Sequence, residues 1–172
     1  MVKITQLVRK VLDAPKTFVE ILQPAPSGWI GCVPGKKHSR SSYGVPRGMH
    51  YQDMTAPMGK LLRCTVGRIF DVAVDLLVSS PTFGKWFSVE LSADNKKQIY
   101  VPVGFAHGFA TLSDVAEVQY KQTSFYTPSS EGTLAWNDPD VGIQWPLTSP
   151  TLSKRDQNGM SLKEYLKKPA FK

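Results

Sequence analysis

Apolar and polar residues alternate with a period of two through the middle of the chain. Between residues 68 and 77, Phe70, Val72, Val74 and Leu76 fall on one side of an extended segment, and Asp71 and Asp75 fall among the opposite set. This alternation predicts a strand. Residues 61–66 also carry apolar and β-branched side chains, and Gly67 between the two segments suits a tight turn or bulge. Further strands are predicted over 86–91, 98–102, 108–112 and 116–123. The breaks fall at Ser79-Ser80-Pro81-Thr82, Ser92-Ala93-Asp94-Asn95 and Ser113-Asp114. Residues 3–10 and 17–23 read as two earlier strands, separated by Asp13-Ala14-Pro15. Residues 24–44 are rich in Pro, Gly, Ser and Lys and read as a long loop. Residues 127–150 are Pro- and Trp-rich and irregular. Ser161-Leu162-Lys163-Glu164 has the capping-box pattern that opens a short C-terminal helix. Short strands at this spacing predict an all-β sandwich or barrel.

Composition narrows the class. The 172 residues predict one domain, 1–172, long enough to bury a core. Hydrophobic content of 41% and charged content of 20% are ordinary for a globular protein. No apolar run approaches the roughly 20 residues of a membrane helix, so no membrane association is expected. The first ten residues are too polar for a signal peptide. Cys32 and Cys64 have neither metal nor redox spacing, which makes a reducing cytoplasm the expected compartment. The formal charge is +7, but its cations are scattered. Scattered charge argues against a nucleic-acid footprint. An anionic small molecule such as a nucleotide diphosphate accounts for basic residues near a site.

The chemistry gathers in residues 47–60. This stretch holds His50, one of only three histidines, together with Arg47, Lys60, Gly48 and Gly59. Histidine can move a proton at neutral pH. Arginine forks onto phosphate, and a lysine can stabilise a developing oxyanion. Taken alone, His50 reads better as a satisfied core histidine and Lys60 as a solvated residue flanking a strand, and Arg47 reads also as half of a surface ion pair.

Farther along, Pro102-Val103-Gly104-Phe105-Ala106-His107 has the form P-x-G-x-x-H. In an all-β chain this resembles the second motif of the cupins, small double-stranded β-helices, or jelly rolls. The first cupin motif would centre on His50, where the metal-binding H-x-H is replaced by His50-Tyr51-Gln52. Two histidines without a companion carboxylate at ligand spacing make a weak metal site. A metal-free cupin with no cofactor is expected.

Several segments together are more specific. Gly44 to Gln52, Gly67 to Asp75, Ser80 to Trp86, Tyr100 to Phe109, Trp136-Asn137-Asp138-Pro139-Asp140, Ile143-Gln144-Trp145-Pro146 and Leu152-Ser153-Lys154-Arg155-Asp156 occur in that order. In this order they closely resemble the dTDP-4-dehydrorhamnose 3,5-epimerase family, from about Ser39 to Asp156. The resemblance implies a homodimeric jelly-roll enzyme that takes a nucleotide-linked 4-keto-6-deoxyhexose in deoxysugar or O-antigen (lipopolysaccharide) biosynthesis. The C4 carbonyl acidifies the protons on C3 and C5, and inversion needs a base, an acid on the opposite face and stabilisation of the enolate.

The resemblance also implies roles. His50 matches the base, Asp156 its paired carboxylate, Tyr120 the general acid and Lys60 the residue near the keto oxygen. Arg47 matches a diphosphate ligand. His107 is expected to line the same cavity, Tyr126 to pack near the sugar, and Glu131 and Trp136 to sit near the base or ribose. Without the resemblance, Asp156 would read as an exposed turn residue, Tyr120 as core and Tyr126 as a loop aromatic.

The N-terminal third departs from the family pattern. An acidic-Arg-Gly-aromatic segment is replaced by Asp13-Ala14-Pro15-Lys16-Thr17-Phe18-Val19-Glu20, and a Gln and an Asn are replaced by Gly35 and Lys37. These changes touch binding more than proton transfer. They leave open a dTDP, CDP or GDP nucleotide and inversion at C3 alone or at both carbons. They also leave open a non-catalytic nucleotide-sugar-binding cupin and a cupin 3,4-ketoisomerase.

Overall fold

A computed structural model of the chain describes residues 35–172. The strands expected over 3–10 and 17–23, the altered N-terminal segment and Cys32 lie outside the described residues.

Nine strands follow in order: β1 (Gly35–Ser42), β2 (Pro46–Gln52), β3 (Lys60–Val66), β4 (Arg68–Asp75), β5 (Trp86–Ser92), β6 (Gln98–Val101), β7 (Phe105–Thr111), β8 (Val115–Gln122) and β9 (Glu131–Thr133). Two short helices close the chain, α1 (Lys154–Gln157) and α2 (Leu162–Lys167). The strands form two antiparallel sheets, in the orders β1-β8-β3-β6 and β5-β4-β7-β2-β9. This is the expected jelly-roll arrangement with a short C-terminal helix. Non-consecutive neighbours in both sheets mean the chain crosses repeatedly between them, and each wall is assembled from distant segments.

Two cores sit on either side of the five-stranded sheet. Between the sheets, Leu62, Cys64, Ile69, Ala73, Leu91, Ile99, Val101, Phe109 and Val118 pack together. On the outer face, Met49, Val72, Val74 and Leu76 are covered by the C-terminal segment through Val141, Ile143, Leu162, Tyr165 and Phe171. The Tyr165 hydroxyl donates to the Leu76 carbonyl at 2.9 Å and accepts from the Phe171 amide at 3.0 Å, which ties the tail to the sheet. With both faces covered, the alternation in β4 does not separate core from solvent. Asp71 is completely buried.

Most predicted strands lie within a few residues of the observed ones. β4 stops at Asp75 because that carboxylate accepts from the Leu77 amide and from the Ser80 and Thr82 hydroxyls, closing a turn. The expected loop over 24–44 is corrected in its second part, where residues 35–42 form β1. Among the described strands this polar segment lies at the edge of its sheet, paired residue by residue with β8, where no apolar alternation is needed. The irregular stretch over 127–150 contains β9, a three-residue strand with no apolar side chain. The capping box at Ser161 and Glu164 is present as expected.

One irregularity positions the site. In β2, Arg47 pairs with Phe109 and His50 pairs with His107, so Gly48 and Met49 together oppose the single residue Gly108. In a regular strand, residues three apart face opposite sides; the extra residue puts Arg47 and His50 on one face. Glycines on both strands allow it. A Cβ on Gly48, at φ +133°, would stand 2.5 Å from the Gly108 Cα, and one on Gly108 would stand 2.8 Å from the Arg47 carbonyl oxygen.

Candidate active site

The bulge directs Arg47 and His50 into an open-mouthed cavity between the sheets, about 660 Å³ with its mouth included. His107 of β7 and Glu131 of β9 also line it from the five-stranded sheet. Lys60 at the start of β3 and Tyr120 of β8 come from the opposing sheet. Tyr126 closes one side of the mouth and is half exposed. Seven of the nine residues expected at the site therefore line one cavity. Asp156 stands behind His50. Trp136 does not line the cavity; it packs 6.5 Å from Trp145, whose indole N–H donates to the Trp136 carbonyl.

Asp156 is 4% exposed and 2.6 Å from His50 Nε2. The exposed-turn reading fails because Ser153 and Asp156 form the first turn of α1. The Ser153 hydroxyl accepts from the Asp156 amide and donates to Asp156 Oδ2 at 2.7 Å. That reciprocal cap turns Oδ1 toward His50. Burial raises the Asp156 pKa, but the hydrogen bonds from His50 and Ser153 outweigh it and hold the carboxyl below its ordinary range. His50 is shifted below 6.5: burial penalises the imidazolium, and Arg155 and Lys60 add positive charge, against the opposing pull of Asp156. A neutral histidine backed by an ionised carboxylate is a base prepared to stabilise its own protonated form.

Lys60 reaches from β3 and donates to the His50 carbonyl at 3.2 Å. Burial brings its ammonium down to about 8, against the pull of Glu131 and Asp71. It remains mostly protonated at neutral pH, a cation at the cavity wall beside the base. Tyr120 points inward from β8, with its ring edge-on to His107 at 6.4 Å. Burial, and then the Asp71 charge, push its phenol well above the ordinary value, so it keeps its proton.

A second histidine–carboxylate pair lies deeper. His107 Nε2 is 3.0 and 3.1 Å from the two Asp71 oxygens. Burial raises the Asp71 carboxyl, and the charge and hydrogen bond of His107 oppose that rise. Sequence reasoning missed Asp71; its only signal was an acid inside an otherwise apolar strand. It also missed Arg155, which bonds to His50 and Glu131.

Gln52 stands where the metal-binding motif carries its second histidine. Both ends of its amide are occupied: Nε2 donates to the Ala56 carbonyl and Oε1 accepts from the Thr127 amide. The side chain ties two loops together. Among the described residues no three His, Cys, Asp or Glu side chains gather in a way that could hold a metal ion.

The arrangement offers a base on one wall, a protonated phenol on the other and a cation near the base. Comparison with known proteins agrees with that chemistry. The family model for dTDP-4-dehydrorhamnose 3,5-epimerase matches residues 28–164. The chain is 55% identical over 120 residues to a dTDP-4-dehydrorhamnose 3,5-epimerase of Salmonella typhimurium, covering 69% of this chain and 66% of that protein. It spans about two thirds of the length of such relatives. Its fold is similar to that of a dTDP-6-deoxy-D-glucose-3,5-epimerase from Legionella pneumophila solved with dTDP-4-keto-L-rhamnose. That match has a TM-score of 0.74 and 45% identity, over 76% of this chain and 70% of that one. It is also similar to a 3'-monoepimerase from Streptomyces bikiniensis solved with dTDP-quinovose, with a TM-score of 0.77 and 34% identity, over 81% and 71% of the two chains.

Proposed function

Because the chain belongs to the dTDP-4-dehydrorhamnose 3,5-epimerase family, we propose that it inverts C3, C5 or both in a nucleotide-linked 4-keto-6-deoxyhexose. The observation that carries this reading is the placement of His50 and Tyr120 on opposing sheets of one cavity, with the Lys60 ammonium 3.2 Å from the His50 carbonyl.

His50 takes the proton from carbon, and the C–H electron pair moves into the C4 carbonyl to give an enolate. Asp156 stabilises the imidazolium that forms. Lys60 stabilises the enolate oxygen. Tyr120 then delivers its proton to the opposite face of the same carbon, which inverts the centre. Proton exchange with solvent returns both residues to their starting states. Each positioned proton-transfer group contributes ~10²–10⁴-fold. Arg47 meets the diphosphate, and Tyr126 and Glu131 shape the mouth around the sugar.

The nucleotide is dTDP on this reading, since the similar Legionella and Streptomyces enzymes were solved with dTDP-linked ligands. The product enters deoxysugar biosynthesis of the kind that supplies O-antigen and lipopolysaccharide, in the cytoplasm. The protein works as a homodimer through the side of the four-stranded sheet where β1 is the last of the described strands.

The test is incubation in D2O with dTDP-4-keto-6-deoxyglucose and its CDP and GDP counterparts, followed by NMR at C3 and C5. Deuterium at one or both carbons with the dTDP sugar is expected, and the carbons labelled decide between single and double inversion. A 3-keto product would identify a ketoisomerase. Absence of exchange with every nucleotide would leave a binding protein.

A further inference from the structure

Both ring nitrogens of His50 are occupied. Nε2 faces Asp156 Oδ1 at 2.6 Å, and Nδ1 faces Arg155 Nη2 at 3.2 Å. A carboxylate only accepts and a guanidinium only donates. His50 must therefore carry its hydrogen on Nε2 and present a lone pair at Nδ1. That lone pair is the basic one, and an arginine covers it.

The two partners differ in how firmly they are held. Asp156 is almost fully buried and takes a second bond from Ser153. The Arg155 side chain is 49% exposed, and its other branch donates to Glu131 Oε2 at 2.8 Å. Glu131 also accepts from the Tyr126 hydroxyl at 3.0 Å. Arg155 thus belongs to a chain of contacts at the cavity mouth, and it also borders a neighbouring surface groove lined by Arg40, Ser42 and Arg47. Its Nε also lies 3.9 Å from Asp156 Oδ1, a longer and weaker contact than the 2.6 Å bond between His50 and Asp156.

We propose that Arg155 is a displaceable cap on the base: it holds His50 in the Nε2–H tautomer, occupies Nδ1, and leaves before that nitrogen takes a proton from the sugar. Arg155 is a positioning residue in this scheme and takes no proton itself. The inference rests on His50 being the base. The other groups facing His50 are Asp156 from α1, Lys60 from β3, Glu131 from β9 and His107 from β7. Arg155 contributes directly to the downward shift of the imidazole, so removing it raises the titration midpoint.

The full chain carries three histidines, which suits ¹⁵N-histidine labelling. His50→Asn assigns its signals. In the unaltered protein the neutral His50 is expected as Nε2–H with Nδ1 as acceptor. In Arg155→Met its titration midpoint is expected to move to higher pH, and in Arg155→Lys, which keeps a donor and a charge, to fall between the two. An Nδ1–H tautomer in the unaltered protein, or an unchanged midpoint in Arg155→Met, overturns the cap. The tautomer measurement needs no variant that must fold, and no turnover. A failed cap is therefore distinguishable from a failed epimerase: the first shows in the nitrogen signals, the second in the deuterium exchange.

Discussion

Arg47 and His50 face the same cavity although they stand three positions apart along β2. The doubled residue opposite Gly108 makes this possible, at a point where the two backbones approach too closely for a Cβ. Gly48→Ala should therefore damage both stability and the site. Overpacking costs about 1–3 kcal/mol, and the positive φ adds strain. The midpoint of urea unfolding should fall, and residual activity should drop with Arg47 and His50 no longer facing together. Unfolding at the parental midpoint would mean the strands can part without loss.

Asp156→Asn tests the pair behind the base. The amide cannot stabilise an imidazolium as the carboxylate does, so kcat should fall by on the order of 10²-fold, with the circular dichroism spectrum unchanged. Ser153→Ala should act in the same direction but more weakly. It removes one of the two hydrogen bonds that hold Asp156 below its ordinary range and the cap of α1, worth about 1 kcal/mol. A larger loss from Ser153→Ala than from Asp156→Asn would place the important group elsewhere.

The pH dependence follows from two groups with opposite requirements. His50 must be neutral, and burial with two nearby cations holds it below 6.5, so the midpoint of the acidic limb of kcat/KM should lie below pH 6.5. Lys60 must be protonated, and burial brings it to about 8, so the alkaline limb should fall near pH 8. Lys60→Met should abolish that limb along with most of the rate. An alkaline limb unchanged in Lys60→Met would assign it to another group.

The same lysine should cost stability. Its depressed value means the surroundings disfavour the charge, so below pH 8 the folded state carries an ammonium that the unfolded chain holds more easily. Lys60→Met should raise the melting temperature at pH 7 while lowering kcat, the exchange expected where a strained functional group is replaced by one that packs. Thermal unfolding followed by circular dichroism reads the first effect and the epimerase assay the second.

How much of this was legible in the sequence depended on where the information lay. Strands with apolar alternation, such as β3, β4 and β8, announced themselves, as did the capping box at Ser161. β1 did not, because a strand of Lys, His, Arg and Ser is held by backbone pairing with β8 and not by apolar burial. His50, Lys60 and Tyr120 could be named, but only through the resemblance, since each alone has a bland reading. The bulge was hinted at by Gly48, yet spacing alone would have put Arg47 and His50 on opposite faces. Asp156 looked like a turn residue because its burial depends on α1 folding onto a strand 106 residues earlier. Asp71 and Arg155 were missed because their partners lie far along the chain, at His107 and His50.

The central claim is that proton removal and proton delivery belong to opposite walls. Comparing solvent exchange with inversion in two variants tests it most directly. In D2O, Tyr120→Phe should still wash deuterium into the carbon that His50 deprotonates, returned to the same face, while forming no inverted product. His50→Ala should show neither exchange nor inversion. Full inversion by Tyr120→Phe, or exchange at the parental rate by His50→Ala, would contradict the account.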